Sequence, residues 1–400
     1  MLANQTAPNA DVQALIDDGY SVVIVDDRYL IVENVPYCPA AGKIEYGDII
    51  SPYSVVNGVS QLNGDHTVWF TGSIPHSALG ASLQDALVAD TTETVVADRK
   101  ALCRLSNKPA KAEDLARLLQ SFHVKMLHYV NKLSRHARDI DPSVRADFRG
   151  RLQINARPSV FYYPNTAIAR SGLDAYEEKL RQRKVAIIGV GGTGSYILDA
   201  LAKTPIEEIY IYDGDVIEAH NCYRMPGALK PSEAFSGVAK AEHLARHYGQ
   251  MRKGIVGRAV RVDEQNITEL GDCSFVFIAV DHGPSRGLIA SYLVGRGIPF
   301  IDVGIGVDKV PASVQLHARA RVTLVTPQTA DLVSTLPTAD DKEKAEYDNI
   351  QLVELNAINA MLAVVRYKQF LGFFTDEAEA ETIKYKVSWC ELMVNKRKPE

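Results

Sequence analysis

The chain has 400 residues, of which 46% are hydrophobic and 23% are charged, and its formal net charge is −5. This length is typical of two or three domains with substantial cores, which excludes a disordered or fibrous protein. The charges are spread along the chain, so it lacks the basic footprint of a nucleic-acid-binding protein. No segment approaches the roughly 20 apolar residues of a membrane helix. The N-terminus lacks the basic and apolar regions of a signal peptide, and we therefore expect a cytoplasmic protein without a membrane partner.

Residues 1–150 predict a small α+β domain, and no motif in it indicates a role. Three short ranges alternate as strands do, namely residues 21–25, 29–33 and 67–71. Residues 111–138 carry apolar side chains at helical spacing, so this range predicts a helix. Asp141 precedes Pro142, and a residue before proline avoids the helical conformation, which predicts the end of the helix here.

The most informative segment begins at Lys184, where an apolar run enters a glycine-rich turn with Gly189, Gly191, Gly192 and Gly194. A helical pattern follows, so the turn lies between a parallel strand and a helix N-terminus whose backbone N–H groups hold phosphate oxygens. A second predicted strand, residues 209–212, ends at Asp213. This residue lies about 20 residues after the turn, the spacing at which an acidic side chain reaches the ribose hydroxyls. By itself this pattern fits any nucleotide, including that of an NAD-dependent oxidoreductase.

Further polar residues follow at spacings that a dinucleotide site does not need. They are Asp215, Asn221, Arg224, Lys240 and Asp281. This pattern resembles the ThiF/MoeB/HesA superfamily, which includes the ubiquitin-activating enzymes. Members of that family carry an acidic pair, a Ser-Asn-Leu-x-Arg-Gln segment, a Gly-x-x-Lys segment and a late Asp. Here Asn221 and Arg224 keep their places, while His220, Cys222 and Met225 replace the Ser, Leu and Gln.

The resemblance implies a doubly wound α/β nucleotide domain of the Rossmann-like ThiF type over residues 165–400, after the smaller α+β domain. It also implies ATP and Mg²⁺. The residues that it assigns to the nucleotide are Gly189, Gly191, Gly192, Gly194, Asp213, Asp215, Asn221, Arg224 and Lys240. Arg224 and Lys240 would contact the triphosphate and Asp281 would hold the magnesium, so these three are the candidate catalytic residues. Arg286 matches a further basic position of the family.

Two of these residues have simpler interpretations when they are considered alone. Asp281 could cap the helix that is predicted after it, a common role for Asp. Lys240 could be a solvated lysine on the helix predicted from residue 239 to residue 248. The adenylation hypothesis therefore depends on the whole set of residues.

The function that the resemblance implies is ATP-dependent adenylation of the C-terminal carboxylate of a ubiquitin-like or sulfur-carrier protein with a Gly-Gly tail. This is the first step of its conjugation or transfer, here in a bacterial ubiquitin-like conjugation system. The implied partners are that carrier, a conjugating-enzyme-like protein and a second copy of the chain in a homodimer. Three alternatives stay open: adenylation of a small molecule or an RNA, an NAD-dependent oxidoreductase, and a nucleotide-dependent binding protein without turnover.

The cysteines leave the step after adenylation open. Thioester-forming members of the family carry a nucleophilic cysteine downstream of the late Asp, but no cysteine occurs here between Cys273 and Cys390. The corresponding range, residues 326–341, is rich in hydroxyl side chains instead. The enzyme could stop at the adenylate, form an oxyester on one of these hydroxyls, or use Cys222, Cys38 or Cys390. No Cys-x-x-Cys pair is present, so we expect no structural zinc.

A broad apolar helix pattern covers residues 347–374, and it contains Asn356 and Asn359. Buried amides need hydrogen-bond partners. The two side chains are therefore expected to bond either across a dimer or domain seam or within the fold.

Overall fold

The computed structural model describes residues 7–147, 150–155, 159–163, 165–339 and 350–396. The chain divides into two compact units. The first comprises residues 1–159 and 163–176, and the second comprises residues 160–162 and 177–400.

The first unit is built on a seven-stranded sheet in the order β11-β1-β2-β3-β6-β10-β7, with two small hairpins, β4-β5 and β8-β9. The strands are β1 (Ser21–Val25), β2 (Tyr29–Tyr37), β3 (Glu45–Pro52), β4 (Val55–Val56), β5 (Val59–Ser60), β6 (Val68–Phe70), β7 (Val88–Asp90), β8 (Thr94–Val96), β9 (Arg99–Ala101), β10 (Cys103–Leu105) and β11 (Arg151–Asn155). The helices, of which the last reaches the start of the second unit, are α1 (Ala10–Asp17), α2 (Gln84–Leu87), α3 (Ala112–Leu118), α4 (Phe122–Ile140), α5 (Thr166–Ser171) and α6 (Asp174–Glu178). This confirms the predicted α+β class.

The predicted helix over residues 111–138 is two helices, α3 and α4. Ser121 separates them because its backbone is extended and its side chain accepts the Val124 N–H at the start of α4. A serine in this capping role ends one helical register and begins the next. The end of α4 at Ile140, before Asp141, agrees with the prediction.

A buried lysine lies in the core of the first unit. Lys125 on α4 is 1% exposed, and its Nζ lies 3.7 Å from Asp65 Oδ2. Burial lowers the pKa of Lys125 to about 8, and the attraction of Asp65 opposes this only in part. The folded protein therefore releases this proton at a lower pH than the unfolded chain does.

We expect Lys125→Met to remove a pH dependence of stability. Between pH 8 and the ordinary lysine pKa the unfolded chain binds more protons, so the Lys125 contribution to the free energy of unfolding rises with pH. Over this window of about 2.5 pH units the rise amounts to roughly 3 kcal/mol. Urea titrations followed by Trp69 fluorescence, in a Trp389→Phe background, measure it. Lys132→Met, an exposed substitution on the same helix, is the control; equal pH slopes for the two variants would contradict the prediction.

The second unit is built on an eight-stranded sheet in the order β14-β13-β12-β15-β16-β17-β18-β19. Its strands are β12 (Lys184–Ile188), β13 (Glu208–Tyr212), β14 (Ile255–Arg258), β15 (Phe275–Ile278), β16 (Phe300–Lys309), β17 (Leu316–Val325), β18 (Ala380–Lys386) and β19 (Glu391–Lys396). Its helices after α6 are α7 (Thr193–Leu201), α8 (Pro231–Ala234), α9 (Lys240–Tyr248), α10 (Gly283–Arg296) and α11 (Val353–Phe370), with 3₁₀ turns at Ala219–Tyr223, Ile267–Leu270, Pro327–Thr335 and Val387–Trp389.

The five strands β14, β13, β12, β15 and β16 are parallel, and the remaining strands are antiparallel. One apolar cluster on the sheet includes residues of α7, α9 and α11, and a second includes residues of α10. The unit is therefore a doubly wound α/β domain, as predicted. The strand order reverses between β12 and β15, and ligands bind in such folds beyond the carboxyl ends of the strands at this reversal.

Strand β16 runs through two glycines, Gly304 and Gly306. The side chains of Arg321 and Arg319 on β17 lie over Gly304 and Gly306, where a Cβ on Gly306 would be 2.8 Å from Arg319 Nε. The glycines thus make room for arginines on the neighbouring strand and do not end β16. None of the helices in the described ranges is both long and apolar enough to cross a membrane.

Candidate active site

The glycine turn lies between β12 and α7, at the reversal of strand order. Gly189 has φ +85°, and a Cβ there would lie 2.6 Å from the Ala279 carbonyl oxygen. A Cβ on Gly194 would lie 1.8 Å from the Gly189 carbonyl oxygen, whereas a Cβ on Gly191 would meet nothing within 4 Å. Gly189 and Gly194 are therefore required by the fold, and the side of the turn at Gly191 is open.

The N-terminus of α7 lacks a side-chain cap. Gly192 is its N-cap residue and has no side chain to accept from the first-turn N–H groups. Uncapped N–H groups at a helix N-terminus, together with the helix dipole, favour an anion. This arrangement suits a phosphate group at the turn.

Asp213 follows β13 and contacts the same turn. Its Oδ2 accepts the Val190 N–H at 2.9 Å, and its Oδ1 accepts the Asp215 N–H at 2.9 Å. These two bonds fix the orientation of the carboxylate. Each oxygen retains a second lone pair that a ribose hydroxyl could use.

Lys240 is held by Asp215 at the start of α9. The Lys240 N–H donates to the Asp215 carbonyl at 3.0 Å, and Lys240 Nζ lies 2.9 Å from Asp215 Oδ2. Lys240 is 4% exposed, so the interpretation of Lys240 as a solvated lysine is wrong. The pKa of Asp215 is lowered, chiefly by the hydrogen bond from Lys240 and further by Arg261, while burial acts in the opposite direction.

Arg261, which the sequence did not single out, belongs to this group. Its Nη2 lies 3.0 Å from Asp215 Oδ1, while 82% of its side chain is exposed. The bond to Asp215 raises the pKa of Arg261 most, and Asp281 and Asp213 contribute further. Arg261 thus pairs with Asp215 and lies in the electrostatic field of Asp281 and Asp213. The sequence feature that could have identified Arg261 is its position shortly after β14, the strand that pairs with β13, which ends just before Asp213.

Asn221 and Arg224 form a second group around His220. Asn221 is fully buried, and its Oδ1 accepts the Glu218 N–H at 2.9 Å. Its Nδ2 lies 3.1 Å from His220 Nε2, and Arg224 Nη2 lies 3.4 Å from the same nitrogen. Two donors that face His220 Nε2 require a lone pair there, so His220 carries its proton on Nδ1, which lies 3.1 Å from Glu218 Oε2.

Arg224 retains hydrogen-bonding capacity in this group. Its Nε is buried and has no hydrogen-bond partner within the described ranges. A buried guanidinium nitrogen without a partner is costly. Arg224 Nε is thus a donor that the described fold leaves unsatisfied.

Asp281 follows β15, the strand next to the glycine turn. It is exposed, and the residue that caps α10 is His282, whose Nδ1 accepts the Ser285 N–H at 3.3 Å. The interpretation of Asp281 as the cap of this helix is therefore wrong. Asp281 contributes to the electrostatic environment of Arg261, which places it at the same edge of the sheet as Asp213 and Asp215.

Arg286 is a buried structural residue. Its Nε donates to Asp302 Oδ1 at 2.8 Å, and its two Nη atoms donate to the carbonyls of Pro337 and Val280. Asp302 is fully buried and also accepts from Arg321. Each nitrogen of Arg286 is bonded within the fold and the side chain is buried, so Arg286 fixes the segment before Asp281.

The described nucleophile candidates differ in exposure. Cys38, Cys103 and Cys273 are buried, Cys222 is half-buried and Cys390 is exposed. Burial raises the pKa of Cys38, and it raises the pKa of Cys273 to about 12. In the hydroxyl-rich range, Ser334 Oγ and Thr335 Oγ1 donate to nearby main-chain carbonyls. The last two residues of the hydroxyl-rich range 326–341, residues 340 and 341, lie outside the described ranges.

The sequence matches two families. Residues 10–166 match a domain of unknown function, DUF6791. Residues 162–388, more than half of the chain, match the ThiF family.

Curated relatives match over shorter stretches. The chain is 32% identical to ubiquitin-like modifier-activating enzyme 5 of Gallus gallus over 132 residues, which are 30% of this chain and 33% of that protein. It is 23% identical to adenylyltransferase and sulfurtransferase UBA4 of Saccharomyces cerevisiae over 214 residues, which are 52% of this chain and 47% of that protein. The chain thus spans less than half the length of these relatives. The chain is also similar to a crystal structure of Escherichia coli MccB, with a TM-score of 0.47 and 19% identity. The matched region covers 58% of this chain and 69% of the MccB chain.

Proposed function

The chain belongs to the ThiF family over residues 162–388, and on that premise we propose that it adenylates the C-terminal carboxylate of a small protein or peptide, with ATP as the nucleotide. We assign this activity to the domain of residues 165–400. The domain of residues 1–150 receives no catalytic role. The observation that carries the proposal is the ion pair between the buried Lys240 and Asp215, at the edge of the sheet where the glycine turn lies. An oxidoreductase that transfers a hydride needs no such cation.

The nucleotide would lie across the carboxyl ends of β12, β13 and β15. The α7 N-terminus and Gly191 suit phosphate oxygens, and Asp213 suits the ribose hydroxyls. Arg224, with its unpartnered Nε, and Lys240 would neutralise the triphosphate. These contacts use fixed donors in a partly buried site, where they stabilise developing charge more strongly than water does.

The reaction would join two bound substrates. A carboxylate oxygen attacks the α-phosphorus, the bond from that phosphorus to the bridging oxygen of the β-phosphate breaks, and pyrophosphate leaves with the bond electrons. The product is an acyl-adenylate. Alignment of the two substrates supplies part of the rate, and cations at the phosphates supply the rest.

Asp281 would hold Mg²⁺ that accompanies the ATP. Within the described ranges no group of three or more His, Cys, Asp or Glu residues forms a metal site. Magnesium at phosphates needs only one or two carboxylates, with water and phosphate oxygens as the other ligands. The exposed carboxylate of Asp281 fits that donor set, and the ion would neutralise phosphate charge.

We propose a ubiquitin-like or sulfur-carrier protein with a flexible Gly-Gly tail as the substrate. Its support is the similarity to ubiquitin-like modifier-activating enzyme 5 and to UBA4. The burial of Cys38, the half-buried position of Cys222 and the local bonds of Ser334 and Thr335 favour an enzyme that stops at the adenylate, and the exposed Cys390 is the remaining cysteine candidate for a covalent step. A homodimer and a conjugating-enzyme-like partner remain predictions.

We expect ATP–pyrophosphate exchange that depends on a Gly-Gly-tailed carrier and falls about 100-fold or more in Asp281→Ala. Asp263→Ala, which removes another exposed carboxylate after β14, is the matched control and should retain exchange. Exchange that depends on an added small carboxylic acid and proceeds without a carrier would instead favour a small molecule as the substrate. Equal exchange in wild type and Asp281→Ala would contradict the assignment of Asp281.

A further inference from the structure

Asn356 of α11 contacts the glycine turn from outside the residues assigned above. It is 1% exposed, and its Oδ1 accepts from Thr193 Oγ1 at 2.9 Å. Its side chain also lies against Gly192, where a Cβ would be 2.4 Å from Asn356 Nδ2. The amide therefore holds both the N-cap residue and the first residue of α7.

The other end of the same amide lacks a partner. Asn356 Nδ2 is buried and has no hydrogen-bond partner within the described ranges. An unsatisfied buried donor costs about 1–3 kcal/mol, and an apolar side chain of similar size would avoid that cost. The amide is thus poorly explained by the stability of the unliganded fold alone.

Asn359, one turn later on α11, provides a comparison. It is fully buried, its Nδ2 donates to the Gly304 carbonyl at 3.2 Å, and its Oδ1 is unpartnered. Both amides bond within the second unit, as one of the two interpretations of the sequence predicted. Only the Asn356 amide contacts the turn that faces the phosphates.

We propose that Asn356 positions the glycine turn for the nucleotide and also donates directly to the bound phosphate. Its amide fixes Gly192 and Thr193 so that the N–H groups at the start of α7 face a phosphate oxygen, and Nδ2 gains its partner when that phosphate is bound. The inference rests on the proposed nucleotide function and extends it to α11. It also explains why Gly192 must lack a side chain, since the Asn356 amide occupies that space.

The test compares four single variants of the full chain, and the double variant Asn356→Leu with Thr193→Val, by calorimetric titration with α,β-methylene-ATP. Asn356→Leu keeps the volume and removes the amide, and Thr193→Val removes the hydroxyl that it holds. Asn356→Asp keeps an acceptor for Thr193 but places negative charge near the phosphate. Asn359→Leu is the matched control on the same helix.

We expect Asn356→Leu and Thr193→Val each to weaken nucleotide binding about tenfold, with the double variant no weaker than Asn356→Leu. Asn356→Asp should bind more weakly still. Asn359→Leu should bind within twofold of wild type although its thermal stability changes. Hydrogen exchange of the unliganded turn should be faster in Asn356→Leu than in Asn359→Leu.

The outcomes separate the two proposals. Suppose that wild type binds the nucleotide and that Asn356→Leu and Asn359→Leu both bind it as well as wild type, or both lose affinity to the same extent. The proposed role of Asn356 is then wrong, and the proposed function stands. If wild type binds no nucleotide, the proposed function fails and the role of Asn356 fails with it.

Discussion

Replacing Gly194 by alanine is expected to unfold the second unit or to destabilise it by more than about 4 kcal/mol. A Cβ at this position would lie 1.8 Å from the Gly189 carbonyl oxygen. That oxygen belongs to the main chain, and the Gly189 backbone is held by the hydrogen bond from its N–H to the Tyr212 carbonyl at 2.8 Å. The strain therefore has no flexible side chain through which to relax. Thermal unfolding and the yield of folded protein measure the effect.

Gly191→Ala is the matched control in the same turn. A Cβ on Gly191 meets nothing within 4 Å, so its stability should stay within about 0.5–1 kcal/mol of wild type. We expect instead weaker binding of ATP, since the open side of the turn is where phosphate oxygens would lie. Equal loss of stability in Gly191→Ala and Gly194→Ala would show that the described turn is wrong.

Lys240→Met is expected to lower carrier-dependent ATP–pyrophosphate exchange about 100- to 1,000-fold. Lys240 is nearly buried, and its Nζ is bonded to Asp215. In this position it supplies fixed positive charge for the leaving pyrophosphate. Methionine keeps most of the side-chain volume, so the change removes mainly the charge. Exchange assays with saturating carrier, together with thermal unfolding, separate catalysis from folding.

Two further variants distinguish a catalytic Lys240 from one that only neutralises Asp215. Lys203→Met removes another lysine that is paired with a carboxylate, Asp199 of α7, but Lys203 lies in the exposed turn after that helix, and the variant should retain exchange. The double variant Lys240→Met with Asp215→Asn removes both charges. Recovery of exchange in the double variant would assign Lys240 a structural role only.

Part of this site followed from local spacing along the chain. The glycine turn, Asp213 and Asp281 each follow a buried strand, and parallel strands place their carboxyl ends at one edge of a sheet. The order of strand, turn and helix was therefore sufficient to predict a nucleotide-binding turn, and the resemblance to the ThiF/MoeB/HesA superfamily implied the doubly wound fold. Short-range steric rules also predicted the end of α4 before Pro142, because they act between neighbouring residues.

Other features depend on contacts between residues that are far apart in the sequence. The break between α3 and α4 was missed because a capping serine gives a weaker signal than the apolar spacing around it. Arg286 matched a basic position of the family, yet its burial on Asp302 shows a structural role that spacing does not reveal.

The sequence by itself determined the family, the class of fold and the glycine turn, because these depend on residue order and near-neighbour geometry. Only the tertiary structure decided that Lys240 is buried on Asp215, that Arg261 joins them, and that Asn356 holds the turn. These contacts join different strands and helices, and the register of the strands and the packing of α11 set them. Packing of this kind is a property of the folded chain as a whole, since each distance depends on all the elements between the two residues.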